Sequence, residues 1–174
     1  DGNVTVPAGG DWAGLVFTPT SEGSLDHIHQ AFAGGQTAIE GTFANFNAIE
    51  IHQADVRIAN SLIEENAGGI TATSGSTGGG GTVLDRGTLT ANAAATIFVR
   101  GSQPTIINNV IRRNNDPGGT VAAISINTNA LNSERISDPG RTTGFLDQLR
   151  ETESNHGPLV LENRLVSNGV NGIF

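Results

Sequence analysis

Residues Ile58-Ala59-Asn60-Ser61-Leu62-Ile63-Glu64-Glu65-Asn66 return, 48 positions on, as Ile106-Ile107-Asn108-Asn109-Val110-Ile111-Arg112-Arg113-Asn114. Each copy runs into a pair of glycines, Gly68-Gly69 and Gly118-Gly119. A shorter echo stands at Leu161-Glu162-Asn163-Arg164-Leu165-Val166-Ser167-Asn168-Gly169. Apolar and polar residues alternate within the phrase, and an Asn recurs in each copy. One such unit cannot bury its apolar face without neighbours, so the repeat points to stacked coils.

Working outward, short strand-like runs lie between turn residues along the whole chain, and almost nothing has helical period. The runs are Leu15-Val16-Phe17, Ala48-Ile49-Glu50-Ile51, Asp55-Val56-Arg57-Ile58, Thr82-Val83-Leu84, Ile97-Phe98-Val99, Pro104-Thr105-Ile106-Ile107 and Ala123-Ile124-Ser125-Ile126. At about three to five residues they are short for a sandwich and suit a parallel β-helix, which lays down three strands per coil and rises about 4.8 Å each time. A coil of roughly 22 to 24 residues reads the repeat offset as two turns, and the chain as roughly six coils. The identical phrases Ile28-His29-Gln30-Ala31 and Ile51-His52-Gln53-Ala54, 23 positions apart, are expected to stack one above the other.

Composition narrows the class. There are 24 Gly among 174 residues, no Cys, Met or Tyr, and all nine basic residues are Arg. Seventeen acidic residues bring the formal charge to −8, and such a surface repels phosphate backbones, which argues against nucleic-acid binding. No run reaches the roughly 20 apolar residues of a membrane helix, and the first residues lack the profile of a secretory signal. The chain opens strand-like and stops at Asn171-Gly172-Ile173-Phe174, which reads as mid-coil, so a piece of a longer polypeptide is expected. Residues 1–174 form one domain in this reading.

Two segments break the pattern. Residues 72–81, with Ser74-Gly75-Ser76-Thr77-Gly78-Gly79-Gly80-Gly81, read as a flexible corner loop. Residues 127–158 read as a long insertion with a turn at Asp138-Pro139-Gly140 and a short helix over about 143–151, where Phe145, Leu146 and Leu149 form an apolar stripe. Loops of this kind usually carry a solenoid's binding surface.

Asp11-Trp12-Ala13-Gly14-Leu15-Val16-Phe17, Ser24-Leu25-Asp26-His27-Ile28, Ala48-Ile49-Glu50-Ile51, the Asn-bearing coils and Gly157-Pro158-Leu159-Val160-Leu161-Glu162-Asn163-Arg164-Leu165 together carry a resemblance. The chain resembles right-handed parallel β-helix repeat regions of very large secreted bacterial surface proteins, in the pectate-lyase-like superfamily. The resemblance implies an all-β right-handed solenoid at an extracellular or cell-surface location. It does not choose an activity, because the superfamily includes lyases, hydrolases, phage spikes, adhesins and plain scaffolds.

Individual residues are expected to serve architecture. Asn60, Asn108 and Asn163 suit left-handed bends with stacked amides, and the alternative is sugar recognition by exposed Asn. His29 and His52, if one rung apart, are a packed or solvated ladder or the start of a metal site that lacks a third ligand. Glu64 and Glu65 opposite Arg112 and Arg113 read as a charged outer face, with Ile58, Leu62, Ile106 and Val110 inside and Arg57 and Glu162 outside. Trp12 is expected under a loop or cap.

Asp116, Asp138 and Asp147 are candidates for a loop calcium site, without the spaced oxygen pattern of known loops. The chain has no adjacent Asp pair, Asn-Thr-Asp or Gly-His-Gly; Asn127-Thr128-Asn129 and Asn155-His156-Gly157 come nearest. No catalytic or metal-binding residue is therefore assigned, and no cofactor is expected. The expected partners are the rest of the parent chain or end-to-end copies, with polysaccharide as a further possibility. A non-catalytic scaffold or adhesin-like module is the first reading, and a carbohydrate-active β-helix, lyase or binding module, is the alternative.

Overall fold

The structure, a computed structural model, describes residues 5–18, 21–35, 37–38, 44–45, 47–52, 54–67, 95–114, 122–127, 156–168 and 171–173. These residues contain strands and no helix. A first coil comprises β1 (Leu15–Phe17), β2 (Glu22–Asp26) and β3 (His29–Ala31), and is followed by a small antiparallel pair, β4 (Thr37–Ala38) and β5 (Ala44–Asn45). The second coil is β6 (Ile49–His52), β7 (Asp55–Ala59) and β8 (Leu62–Glu64). The third is β9 (Ala95–Arg100), β10 (Thr105–Ile107) and β11 (Val110–Arg112). The fourth is β12 (Ala122–Asn127), β13 (Leu159–Leu161) and β14 (Arg164–Val166), and β15 (Asn171–Ile173) opens a fifth.

Equivalent strands stack in parallel into three sheets, ordered β1-β6-β9-β12-β15, β2-β7-β10-β13 and β3-β8-β11-β14. The chain is thus a parallel β-solenoid with three strands per coil, and the described residues hold four coils and part of a fifth, not six. Ile58 lies directly beside Ile106 and Ile63 beside Ile111, so the 48-residue repeat is one coil and not two. Successive rungs of the second sheet, Leu25, Ile58, Ile106 and Val160, differ by 33, 48 and 54 positions. Strand register survives because excursions between strands lengthen a coil without changing where its strands pair. For the same reason the two Ile-His-Gln-Ala phrases do not stack. His29 pairs with Leu62 in the third sheet, whereas His52 pairs with Arg100 in the first.

Five residues separate the inward positions of the second and third sheets: Leu25 and Gln30, Ile58 and Ile63, Ile106 and Ile111, Val160 and Leu165. The bend between them sets this phase. His27, Asn60, Asn108 and Glu162 have φ between 52° and 56°, and after the third sheet Phe32, Glu65, Arg113 and Ser167 do the same with φ between 50° and 62°. A single left-handed residue turns the chain and flips the alternation by one, so Leu62 and Val110 face outward, contrary to the strict period-2 expectation. Asn60, Asn108 and His27 among these eight are residue types enriched at left-handed angles; the others persist because neighbouring coils hold them.

Ile49, Ile51, Val56, Ile58, Ile63, Ile97, Val99, Ile106, Ile111 and Ile124 are withdrawn from solvent and stack as like on like along the axis. Full burial of each such side chain is worth about 1.5–3 kcal/mol. The outer face of the first sheet is buried too, since Glu50, Thr96, Phe98 and Ser125 are at most 1% exposed. At Gly14 (φ +115°) a side chain would run into the Ala48 carbonyl oxygen, so this entry to β1 requires glycine. The Gly-rich loop expected at 72–81, the strand at 82–84 and the helix at 143–151 lie outside the described residues, as does all of the 127–158 insertion except 127 and 156–158.

The register makes a direct prediction for urea denaturation. Ile106→Ala and Ile111→Ala each lose about 2–5 kcal/mol, whereas Val110→Ser on the adjacent outward position loses less than about 1 kcal/mol. Equal losses at 110 and 111 would mean that the bend does not shift the phase.

Candidate functional site

Each bend must satisfy backbone N–H groups that the sheets do not use, and the following coil supplies the acceptor. Ile28 N donates to Ser61 Oγ at 3.2 Å, Ser61 N to Asn109 Oδ1 at 3.0 Å and Asn109 N to Asn163 Oδ1 at 3.0 Å. A second ladder runs through the next bend, from Ala33 N to Asn66 Oδ1 (2.9 Å), Asn66 N to Asn114 Oδ1 (3.1 Å) and Asn114 N to Asn168 Oδ1 (3.3 Å). The amide nitrogens reach back to the preceding coil. Asn109 Nδ2 donates to the Ile58 carbonyl, Asn163 Nδ2 to that of Ile106, Asn114 Nδ2 to that of Ile63 and Asn168 Nδ2 to that of Ile111.

Asn163 therefore belongs with Asn109, one place along from where the sequence alignment set it against Asn108. Asn60 and Asn108 are the left-handed residues, as expected, and form an outer ladder: Asn108 Nδ2 donates to Asn60 Oδ1 and Asn60 Nδ2 to Asp26 Oδ1, both at 2.8 Å. Five-residue spacing, Asn109 to Asn114 and Asn163 to Asn168, is the signal in the sequence that separates the inner ladders from the outer one.

Beside the outer ladder a groove of about 500 Å³ is lined by His27, Asn60, Ser61, Leu62, Asn108, Val110 and Arg112. Its lining combines the outward pair Leu62 and Val110 with two amides, a hydroxyl, the His27 imidazole and one guanidinium. Asp26 at one end takes hydrogen bonds from Asn60 and from Arg57 (2.5 Å) and touches His27. The Asn60 amide, with Arg57 next, holds its carboxyl down from 3.8 to about 2.

At the other end Glu64 gathers three partners: His29 Nε2 at 3.0 Å and two guanidiniums, Arg112 Nε at 2.7 Å and Arg113 Nη2 at 2.5 Å. Arg113 also donates to Glu65, which raises the Arg113 pKa. The sequence placed these pairs two coils apart on an exposed face; they are on adjacent coils, and the Glu64 side chain is only 10% exposed. The Arg112 hydrogen bond, opposed by burial, holds the Glu64 carboxyl below its ordinary value. Every cation of the cluster thus has a carboxylate, and the groove offers hydrogen bonds and two apolar side chains in place of a free charge.

Elsewhere, Glu50 and His52 meet on the buried outer face of the first sheet, Glu50 Oε2 to His52 Nε2 at 2.9 Å. Asn47 donates from both its backbone and its amide to Glu50 Oε1. The His52 ring meets Phe98 edge-on at 5.9 Å. Glu50 is unexposed and His52 is 3% exposed. Trp12 donates its indole N–H to the Ala31 carbonyl at 2.7 Å and remains 41% exposed. Among the described residues no three His, Cys, Asp or Glu side chains gather as a metal site. Asp116, Asp138 and Asp147, the calcium candidates, lie outside the described residues. No family model, no curated protein and no solved structure matches this chain.

Two outcomes follow from this geometry. Glu64→Gln destabilises by about 1–3 kcal/mol in thermal or urea melts, because it weakens charge-assisted bonds to two arginines, while Glu65→Gln loses less than about 1 kcal/mol. Asp26 ionises more readily folded than unfolded, so its contribution is present in full above its ordinary 3.8 and disappears as pH falls through about 2. The stability gap between the chain and Asp26→Asn accordingly narrows between about pH 5 and about pH 2.

Proposed function

We propose that the chain is a non-catalytic structural module, a right-handed parallel β-helix of an extracellular or cell-surface bacterial protein with scaffold or adhesin-like duty. The observation that carries this reading is where the recurring polar residues are spent. Ser61, Asn66, Asn109, Asn114, Asn163 and Asn168 bind neighbouring coils, and the arginines Arg57, Arg112 and Arg113 are held by Asp26, Glu64 and Glu65. Lyase chemistry of this fold needs an acidic metal cluster facing a basic proton acceptor, and the described residues bring no such pair of groups together. Right-handedness is supported by the strong chirality of parallel strand-to-strand crossovers. The placement in the pectate-lyase-like superfamily is supported by the three parallel sheets and by the sequence resemblance, and the location by that resemblance alone. The module joins the rest of its parent chain, or other copies, end to end.

A carbohydrate-binding role draws on one feature, the groove whose Asn amides and apolar side chains suit an uncharged sugar chain. Incubation with polygalacturonate, alginate, neutral polysaccharides and esters, with and without calcium, is expected to give no product. Calcium-dependent release of an unsaturated uronide would replace the scaffold with a lyase. Binding of a neutral glycan that is lost on Asn108→Ala, without turnover, would replace it with a binding module.

A further inference from the structure

The amide bonds that return from one coil to the coil before it are not made at every joint. Between the second and third coils Asn109 and Asn114 donate to the Ile58 and Ile63 carbonyls, and between the third and fourth Asn163 and Asn168 donate to those of Ile106 and Ile111. In the first coil the corresponding residues are Leu25 and Gln30, in register with Ile58 and Ile63. Among the described residues, neither carbonyl receives a side-chain amide from the second coil. Ser61 stands where the later coils have Asn109 and Asn163, and it turns its hydroxyl to the Ala59 carbonyl of its own coil at 2.6 Å. Asn66 stands where they have Asn114 and Asn168, but its amide donates onward to Asn114 Oδ1. This joint keeps the accepting half of each ladder, Ile28 N to Ser61 Oγ and Ala33 N to Asn66 Oδ1, and lacks the returning half.

The interior of the same joint is also interrupted. Gln30 occupies the inward column that continues as Ile63, Ile111 and Leu165, is 4% exposed, and leaves both side-chain polar atoms without a partner. Burying an unbonded amide there opposes the apolar contact that the column makes elsewhere. The hydroxyls of Thr96 and Ser102 also lack partners but lie outside the apolar core. Backbone pairing at the joint is not shorter, since β2 and β7 pair over five residues where β7 and β10 pair over three. The difference between the joints lies in side chains.

We propose that the joint between the first and second coils is a parting line built into the solenoid: β2 and β3 separate from β7 and β8 in a local opening while the second to fourth coils stay stacked. Gln30, Ser61 and Asn66 lie on the two sides of an internal joint, so the weakness persists whatever precedes the first coil. Opening there uncovers the edges of β7 and β8, and a bare strand edge is what an added strand pairs with.

Residue-resolved amide exchange of the whole 174-residue protein separates the two joints within one coil. Leu62 N donates back to Ile28, while Asn60 N and Ser61 N donate forward to Ile107 and to Asn109 Oδ1. His27 N, Ile28 N and Leu62 N are expected to exchange at least about tenfold faster than Asn60 N, Ser61 N and Val110 N. Gln30→Leu combined with Ser61→Asn removes the stranded amide and supplies the missing return. It is expected to slow the first three at least about tenfold and the other three less than about threefold. Equal protection of Leu62 and Ser61 in the unaltered chain would overturn the proposal. So would unchanged exchange at His27, Ile28 and Leu62 in the double variant, or an equal slowing at Val110, which would mean that these amides exchange only when the whole chain unfolds. If the double variant does not fold, Gln30→Leu alone carries the test and must slow Leu62 but not Val110.

Discussion

The structure depends on one requirement: backbone N–H groups at the bends, out of reach of the sheet hydrogen bonds, must find acceptors inside the wall of the solenoid. Asn meets it with both ends of one side chain. Its oxygen takes the N–H of the coil before it, and its nitrogen returns to a carbonyl of that same coil, as Asn109 does with Ser61 N and the Ile58 carbonyl. Two hydrogen bonds per Asn lock adjacent coils in register more narrowly than stacked isoleucines do, because apolar contact has no direction and tolerates a slip that a hydrogen bond does not.

That requirement explains the left-handed bends. Five of the eight are made by Phe, Glu, Arg or Ser, none of which favours positive φ, and a free chain would abandon them at a gain of order 1–3 kcal/mol each. The ladder below and above holds the bend open, and the isoleucine columns then fill the interior it creates. Charge follows the same geometry. Glu64 withstands near-burial because the coil beyond it delivers Arg112 and Arg113 and the coil before it His29. Gln30, in the apolar column ahead of Ile63, is 4% exposed and neither of its side-chain polar atoms has a partner, and the hydroxyls of Thr96 and Ser102 are likewise buried without one.

The polar groups that look functional in isolation are mostly committed to neighbours. Among the described residues a groove lined by amides, a hydroxyl, an imidazole, one guanidinium and two apolar side chains lies next to charges that are already paired.

The sequence by itself determined that strands would be short, that they would stack as parallel coils, and that Asn would mark the bends, because alternation, glycine content and a repeated phrase are local properties of the chain. Coil length, the placement of the two histidines on different sheets and the outward placement of Leu62 and Val110 were decided by tertiary structure alone. An excursion such as that between Glu64 and Ala95 changes the count of residues per coil without leaving a trace in strand pairing. A single left-handed residue inverts the alternation that sequence reading assumes to continue. Which Asn faces which N–H is likewise set by coils 33, 48 and 54 positions apart, distances that no local rule contains.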